Sequence, residues 1–240
     1  MEVRVFDTYE ELSREAANII IAHVRQNSTA VLGLATGSSP LGLYRELIRD
    51  HKENGTSYQN VMTFNLDEYV GLEKTHPQSY YYFMMENLFN HINIPLDHIN
   101  IPNGTAKDIA AECQRYNERL AQHTIDIQIL GIGANGHIGF NEPGTPFDST
   151  THFVKLDEKT RQDNARFFSS IDEVPTHAIT MGIQNIMAAK KIILLASGTS
   201  KADAIYGMIK GPVDPQLPAS ILQTHSDVLV FLDKEAASKL

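Results

Sequence analysis

Residues Leu130–Gly144, LGIGANGHIGFNEPG, decide how this chain folds. They follow an apolar run, Ile125–Leu130, that reads as a buried β-strand. Gly131, Gly133 and Gly136 fit the dinucleotide fingerprint GxGxxG literally, and Asp157 lies near the place of a ribose-binding acid. That fingerprint works only when a helix starts at the glycines and turns its amide end to a pyrophosphate. Here the glycines run into His137-Ile138-Gly139-Phe140-Asn141-Glu142-Pro143-Gly144, whose Gly, Asn and Pro oppose a helix. The stretch is therefore a strand ending in an irregular loop, and NAD binding is rejected. The loop sets a titratable His137 and the carboxylate of Glu142 at the C-terminal end of a parallel strand, a place for acid–base chemistry.

Outward from this loop the same unit recurs: an apolar run, Gly/Ser/Asn punctuation, then an amphipathic segment. MEVRVFDTYEELSREA reads as a strand and a capped helix. Thr29–Ala35 is a strand, followed by TGSSP and a helix from Leu41 to about Lys52. Asn60–Leu66 is a strand with Asp67 and Glu68 just past it; residues 78–92 and 106–123 are helical. Ala178–Met181 is a short strand or turn, and Lys191–Ala196 a strand leading through SGTSK into a helix from Ala202 to about Lys210. Asp227–Leu232 is the last strand. The alternation predicts an α/β fold with a doubly wound, mainly parallel sheet and helices on both faces. Right-handed crossovers bring the C-terminal strand ends, and the punctuated loops, to one edge. No repeat or linker divides residues 1–240, which read as one domain. An irregular stretch after Pro143 and a polar helix at about 157–168 suggest a helical lid over residues 149–172; the plainer alternative is a surface crossover.

Bulk properties narrow the field. A chain of 240 residues can bury roughly 70–75% of its unfolded surface as one domain. Its formal charge of −9 repels nucleic acid and anionic membrane, so an anionic substrate must be held by local dipoles and a few placed cations. No apolar run is long enough to span a membrane and the N-terminus is not a signal peptide, so cytoplasm is expected. The single cysteine, Cys113, cannot form an intrachain disulfide and shares a helical face with Ile109, Tyr116 and Leu120, as a core residue does. Tyr80–Met85 read as the apolar side of a helix packed on the sheet. His23, His51, His91 and His123 fall on polar helix segments and are expected to be solvated.

Three further groups can do chemistry. Thr36-Gly37-Ser38-Ser39-Pro40 joins a strand to a helix, where hydroxyls and free amides make either an anion site or a simple Ser/Thr cap. It is not a P-loop, since no Gly-Lys-Ser/Thr follows. Ser197-Gly198-Thr199-Ser200-Lys201 repeats the pattern with a lysine at the helix start. A cation there opposes the helix dipole, which favours a functional role such as meeting a phosphate. Asp67 ends a buried strand at the ligand-binding edge, where a carboxylate can serve as general base once water is excluded. Taken alone, an Asp-Glu pair is more often a solvated turn, and Glu68 can equally cap the next segment or pair with a cation. A metal held by His137, Glu142 and Asp67 has no HxxxH or Cys/His cluster behind it.

Together these segments resemble the glucosamine-6-phosphate deaminase family along nearly the whole chain. The matching segments are LATGSSPLGLY, VMTFNLDEYVGL, HPQSYYYFM, GIGANGHIGFNEPG, TRQDNARFF and LLASGTSKADAI, in order and spacing. The resemblance implies a Rossmann-like fold, shared with 6-phosphogluconolactonases and some sugar sensors. It implies conversion of glucosamine 6-phosphate and water to fructose 6-phosphate and ammonia, without metal or organic cofactor. It makes Asp67 the enolising base, His137 the ring-opening residue and Glu142 its orienting partner, with Asn135 beside them. Thr36, Gly37, Ser38, Ser39, Gly136, Arg166 and Lys201 become the substrate and phosphate ligands.

The chain departs from the family's allosteric members. Asn135 stands where they carry a third carboxylate; an Asp there would raise the His137 pKa by its charge, whereas Asn can only hydrogen-bond. His152 and Val154 replace an Arg and a Lys that bind the effector N-acetylglucosamine 6-phosphate, and most of the C-terminal extension is missing. A short, non-allosteric monomer or small homo-oligomer is expected. The enzymatic rival is 6-phosphogluconolactonase, disfavoured by the intact Asp67-Glu68-Tyr69 segment and the His137–Glu142 loop. A non-catalytic sugar-phosphate sensor would need a DNA-binding region, and no basic helix is left for one.

Overall fold

The computed structural model describes residues 1–240. Ten strands alternate with helices: β1 Glu2–Phe6, β2 Val31–Leu34, β3 Met62–Asn65, β4 Asp67–Tyr69, β5 Ile99–Asn100, β6 Ile127–Leu130, β7 His152–Lys155, β8 His177–Thr180, β9 Lys191–Ala196 and β10 Val228–Asp233. The α-helices are α1 Tyr9–Gln26, α2 Leu41–Asn54, α3 Tyr80–Asn87, α4 Ile109–Ala121, α5 Glu158–Asn164, α6 Ile183–Met187 and α7 Ala202–Lys210. Their starts follow from local chemistry. Thr8 and Glu11 cap α1 reciprocally, Ser79 caps α3 and Asp108 caps α4.

Seven strands form one all-parallel sheet in the order β1-β10-β9-β6-β2-β3-β5. This is the expected α/β, doubly wound architecture. The central strands are buried on both faces, which explains near-continuous apolar runs such as KIILLA in β9. One contiguous core of 48 buried residues runs through the sheet and its helices, which is where burial at roughly 25 cal/mol per Å² accumulates. The chain winds outward from β2 through β3 to β5, then returns to lay β6 against the other side of β2. The crevice beyond the C-terminal ends of β2 and β6 is thus the topological switch point, where open α/β sheets bind ligands.

The structure corrects several expectations. Ala178–Met181 does not join the parallel sheet: β8 is the middle strand of a second, antiparallel sheet ordered β4-β8-β7. Asp67 and Glu68 are therefore not a turn after β3 but open β4, with Asp67 opposite Thr180. Pairing with a strand over a hundred residues later leaves no local pattern to read. Residues 149–172 contain β7 as well as α5, so this segment is not purely helical. The helix read over 78–92 stops at Leu88, whose backbone leaves the helical region, and resumes as a short 3₁₀ turn at Phe89–His91. Of the four histidines expected in solvent only His91 is exposed. His23 lies 3.6 Å from the buried Asp126, His51 Nδ1 meets the Thr56 carbonyl, and His123 packs on Phe64. Cys113 is buried, as its helical face requires. No helix is long and apolar enough to cross a membrane.

Candidate active site

A cavity of about 790 Å³ opens at the switch point. Its walls come from the loops after β2, β6 and β9, from β4, and from the α5 segment. Thr36, Gly37, Ser38 and Ser39 line one part. Their loop runs into α2 without a side-chain cap, because Pro40 occupies the cap position. The hydroxyls are therefore not spent on the helix end. Tyr9 of α1 secures the loop instead, its hydroxyl donating to the carbonyls of Ser38 and Ser39 at 2.9 Å and accepting from the Gly42 amide at 2.8 Å. A loop pinned from behind, with hydroxyls and a helix start facing the cavity, suits an anion.

The loop after β6 opens no helix; the next one in the chain is α5. It turns back on itself, with the Gly133 amide donating to the His137 carbonyl and the Gly136 amide to the Gly133 carbonyl. The His137 ring lies flat against Gly133, where a β-carbon would stand 2.3 Å from the imidazole. Any other residue there would displace the ring. His137 lines the cavity, and behind it Nδ1 stands 3.4 Å from Glu142 Oε2. Asn135 ties the pair together: its Nδ2 donates to Glu142 Oε2 at 3.0 Å and its Oδ1 accepts from the His137 amide at 3.2 Å. Burial raises the Glu142 carboxyl, but the His137 contact and charge, with Thr160 and Asn135, outweigh it and hold it below its ordinary value. Glu142 is thus a carboxylate on the protein side of the imidazole, an arrangement that can orient the ring. Gly136 does not reach the cavity; its φ of +84° and its contact with Leu217 make it a turn residue.

Asp67 and Glu68 are both buried but differ in every contact. Glu68 Oε1 accepts from the amides of Tyr69 and Tyr80, and Oε2 from the amide of Tyr81, each at 2.9 Å. It serves the start of α3. Asp67 lines the cavity and no protein donor is bonded to its carboxylate. Burial, and secondarily the Glu68 charge, push the Asp67 carboxyl up to about 8. Burial likewise pushes Glu68 up to about 7, against its three amide donors. A buried carboxylate with free lone pairs and a pKa near neutrality is suited to general base work.

Cations stand on another wall. Arg166 and Lys201 both line the cavity, with the Arg166 guanidinium 4.7 Å from the Phe167 ring centroid. Lys201 Nζ donates to the Ile132 carbonyl at 2.7 Å, and burial lowers its ammonium from the ordinary value, against the attraction of Asp163. Several lining residues are not marked by the sequence alone. Tyr69, Tyr80, Asn164 and Thr160 also line the cavity. Asn164 Nδ2 donates to the Tyr69 hydroxyl at 3.0 Å, joining α5 to β4. Tyr80 lies in the HPQSYYYFM segment, and Thr160 and Asn164 lie within or beside TRQDNARFF, so the signal was present but masked by apolar and helical readings. No three His, Cys, Asp or Glu side chains converge as a metal site.

Fold and cavity define an α/β protein whose switch-point cavity joins a hydroxyl-rich loop to a His–Glu pair and a buried carboxyl. Residues 6–231 match the family described as glucosamine-6-phosphate isomerases/6-phosphogluconolactonase, and the chain belongs to that family. It is 58% identical over 241 residues to a glucosamine-6-phosphate deaminase of Clostridium novyi, covering all of both chains. It is 56% identical to one from Clostridium botulinum, covering 100% of this chain and 99% of that one. A solved monomeric glucosamine-6-phosphate deaminase of the NagB superfamily superposes with a TM-score of 0.98 at 52% identity over the whole of both chains. The 6-phosphogluconolactonase of Trypanosoma brucei shares the fold, with a TM-score of 0.79 at 22% identity over 100% of this chain and 98% of that one.

Proposed function

We propose that this chain is a glucosamine-6-phosphate deaminase, converting D-glucosamine 6-phosphate and water to D-fructose 6-phosphate and ammonia. The observation that carries the reading is the convergence of Asp67, His137 and two anion-binding groups on one cavity. Full-length identity to chains bearing that name supports it. The phosphate docks on Thr36–Ser39 between Arg166 and Lys201, which holds a flexible open-chain sugar in register. His137, oriented by Glu142 and Asn135, moves the proton that opens the pyranose ring. Asp67 takes the C2 proton and returns it to C1 through an enolamine. Water then hydrolyses the C2 imine, leaving the ketone and releasing ammonia. Asp67 acts in its charged form, and the dry wall that raises its pKa makes it the stronger base.

Residues 149–172 act as a lid on a single domain, closing when Arg166 meets phosphate. The protein works in the cytoplasm as a monomer or small homo-oligomer, without metal or organic cofactor. His152 and Val154 offer no pair of cations for a second phosphate, so no effector site couples to catalysis. The test is ammonia release from glucosamine 6-phosphate, with and without N-acetylglucosamine 6-phosphate, beside hydrolysis of 6-phosphogluconolactone. Ammonia release on a hyperbolic curve, unchanged by the N-acetyl sugar, is expected. Lactone hydrolysis without ammonia overturns the reading.

A further inference from the structure

We propose that Tyr9 of α1 is a positioning residue for the phosphate: its hydroxyl turns the Ser38–Ser39 peptide so that the Ser39 amide is aimed at the bound anion. This rests on reading Thr36–Ser39 as the phosphate site. The Tyr9 hydroxyl lies 2.9 Å from the Ser38 carbonyl and 2.9 Å from the Ser39 carbonyl, and it accepts from the Gly42 amide at 2.8 Å. No peptide bond in the chain is cis, so each N–H points opposite to the C=O of its own peptide. Drawing the Ser38 carbonyl back to α1 therefore turns the Ser39 N–H away from α1. Ser39 lines the cavity, and the amides of Gly37, Ser38 and Ser39 donate to no protein acceptor. Gly37 takes a φ of +88°, and a β-carbon there would meet nothing within 4 Å, so the backbone lies open. Successive free amides beside a left-handed residue form an anion-binding concavity.

The other end of the loop is held independently. The Tyr44 hydroxyl of α2 accepts from the Ala35 amide at 3.2 Å and donates to the Ala35 carbonyl. Tyr9 is thus the side chain that fixes the far end, where one phenolic proton is shared between two carbonyls. Its ring has a separate task. It packs where α1 crosses α2, at a point so close that a β-carbon on Gly42 would stand 2.3 Å from Ser13 Oγ and 3.1 Å from Tyr9 Cε1. Ring and hydroxyl can therefore be tested apart. The phosphate is remote from the reacting carbons and is held alike in ground and transition states, so losing the hydroxyl should raise KM and spare kcat.

Tyr9→Phe keeps the ring and removes only the hydroxyl. Calorimetric titration reads the affinity of glucitol 6-phosphate, which lacks a carbonyl and cannot react, and its displacement by inorganic phosphate. Tyr9→Phe should weaken both about 5- to 10-fold, the scale of one hydrogen bond. The KM for glucosamine 6-phosphate should rise by the same factor, with kcat within about 2-fold of wild type. Ser13→Ala alters the same helix crossing, and Ser13 Oγ has no hydrogen-bond partner to lose. It should move none of these values by more than about 2-fold, since it leaves the loop carbonyls alone. Wild-type affinities in Tyr9→Phe, an equal loss in Ser13→Ala, or a fall in kcat with phosphate affinity intact overturns the inference. The wild-type preparation is also assayed for ammonia release from glucosamine 6-phosphate. Turnover with phosphate affinity unchanged in Tyr9→Phe overturns the role of Tyr9 alone. Phosphate affinity that depends on Tyr9 without any ammonia release overturns the proposed function and leaves the clamp standing.

Discussion

Glu68→Gln separates the two adjacent carboxylates by a single atom's chemistry. Asp67 is displaced from its ordinary 3.8 to about 8, first by burial and second by the Glu68 charge. The second cause is the smaller, so removing it should lower the Asp67 pKa by about 1 unit and by less than about 2. In the proposed mechanism Asp67 works as a carboxylate, so kcat/KM should fall as pH drops through its free-enzyme pKa. The acid limb of the kcat/KM profile should therefore move to lower pH, and the plateau should drop because the base is weaker. The substitution also has a structural consequence. Glu68 Oε1 can be mimicked by the Gln oxygen, but the Gln amide then faces the Tyr81 N–H that Oε2 accepted. A buried unsatisfied amide costs about 1–3 kcal/mol, at roughly 2–4 °C of Tm per kcal/mol for a chain of this size. The assay is initial-rate ammonia release from pH 5 to 9, with thermal unfolding beside it. Glu68→Asp keeps the charge and should keep the limb. An acid limb that stays in place in Glu68→Gln, or moves upward, would refute the argument that Glu68 acts on Asp67 through its charge.

Asp67→Asn should reduce turnover at least ~100-fold with a much smaller change in KM, the scale of a lost general base. It should also be more thermostable than wild type. A carboxyl whose pKa is raised on folding withdraws stability as pH climbs from the unfolded to the folded value, so the Tm gap should widen from about pH 4 to about pH 8 and then level off. Arg166→Ala and Lys201→Met should each cost roughly 1.5–3 kcal/mol in kcat/KM with glucosamine 6-phosphate and little with glucosamine itself; equal losses on both would contradict phosphate binding. Hydrogen exchange over residues 149–172 should slow when glucitol 6-phosphate saturates the site. Asn164→Ala, which removes the 3.0 Å bond to Tyr69, should speed exchange there in the free enzyme; unchanged rates in both experiments would count against a lid.

The elements of the large sheet were legible because their signals are local. Runs such as KIILLA, ended by SGTSK and followed by a periodic helix, carry strand, turn and helix starts within a few residues. The loop 131–144 was legible for the same reason, since Gly, Asn and Pro exclude a helix wherever they stand. The histidines were misread because a polar helix surface does not reveal what packs over it, as the Asp126 carboxylate beside His23 shows.

By itself, then, the sequence determined the α/β alternation, the switch-point loops and the identity of His137, Glu142 and Asp67 as candidates. The backbone conformations and side-chain chemistry involved belong to short segments. Only the tertiary structure decided what those groups became. Pairing of β4 with β8 set Asp67 opposite Thr180 and made it a buried wall of the cavity. Docking of α3 on β4 added two backbone donors, from Tyr80 and Tyr81, to the one Glu68 has from Tyr69 on its own strand and left Asp67 with none, so adjacent acids have opposite surroundings. Packing of the α5 segment brought Thr160 and Asn164 to the same site. Burial and hydrogen bonding between residues far apart in the chain set these pKa values and roles, and such contacts exist only once the chain has folded.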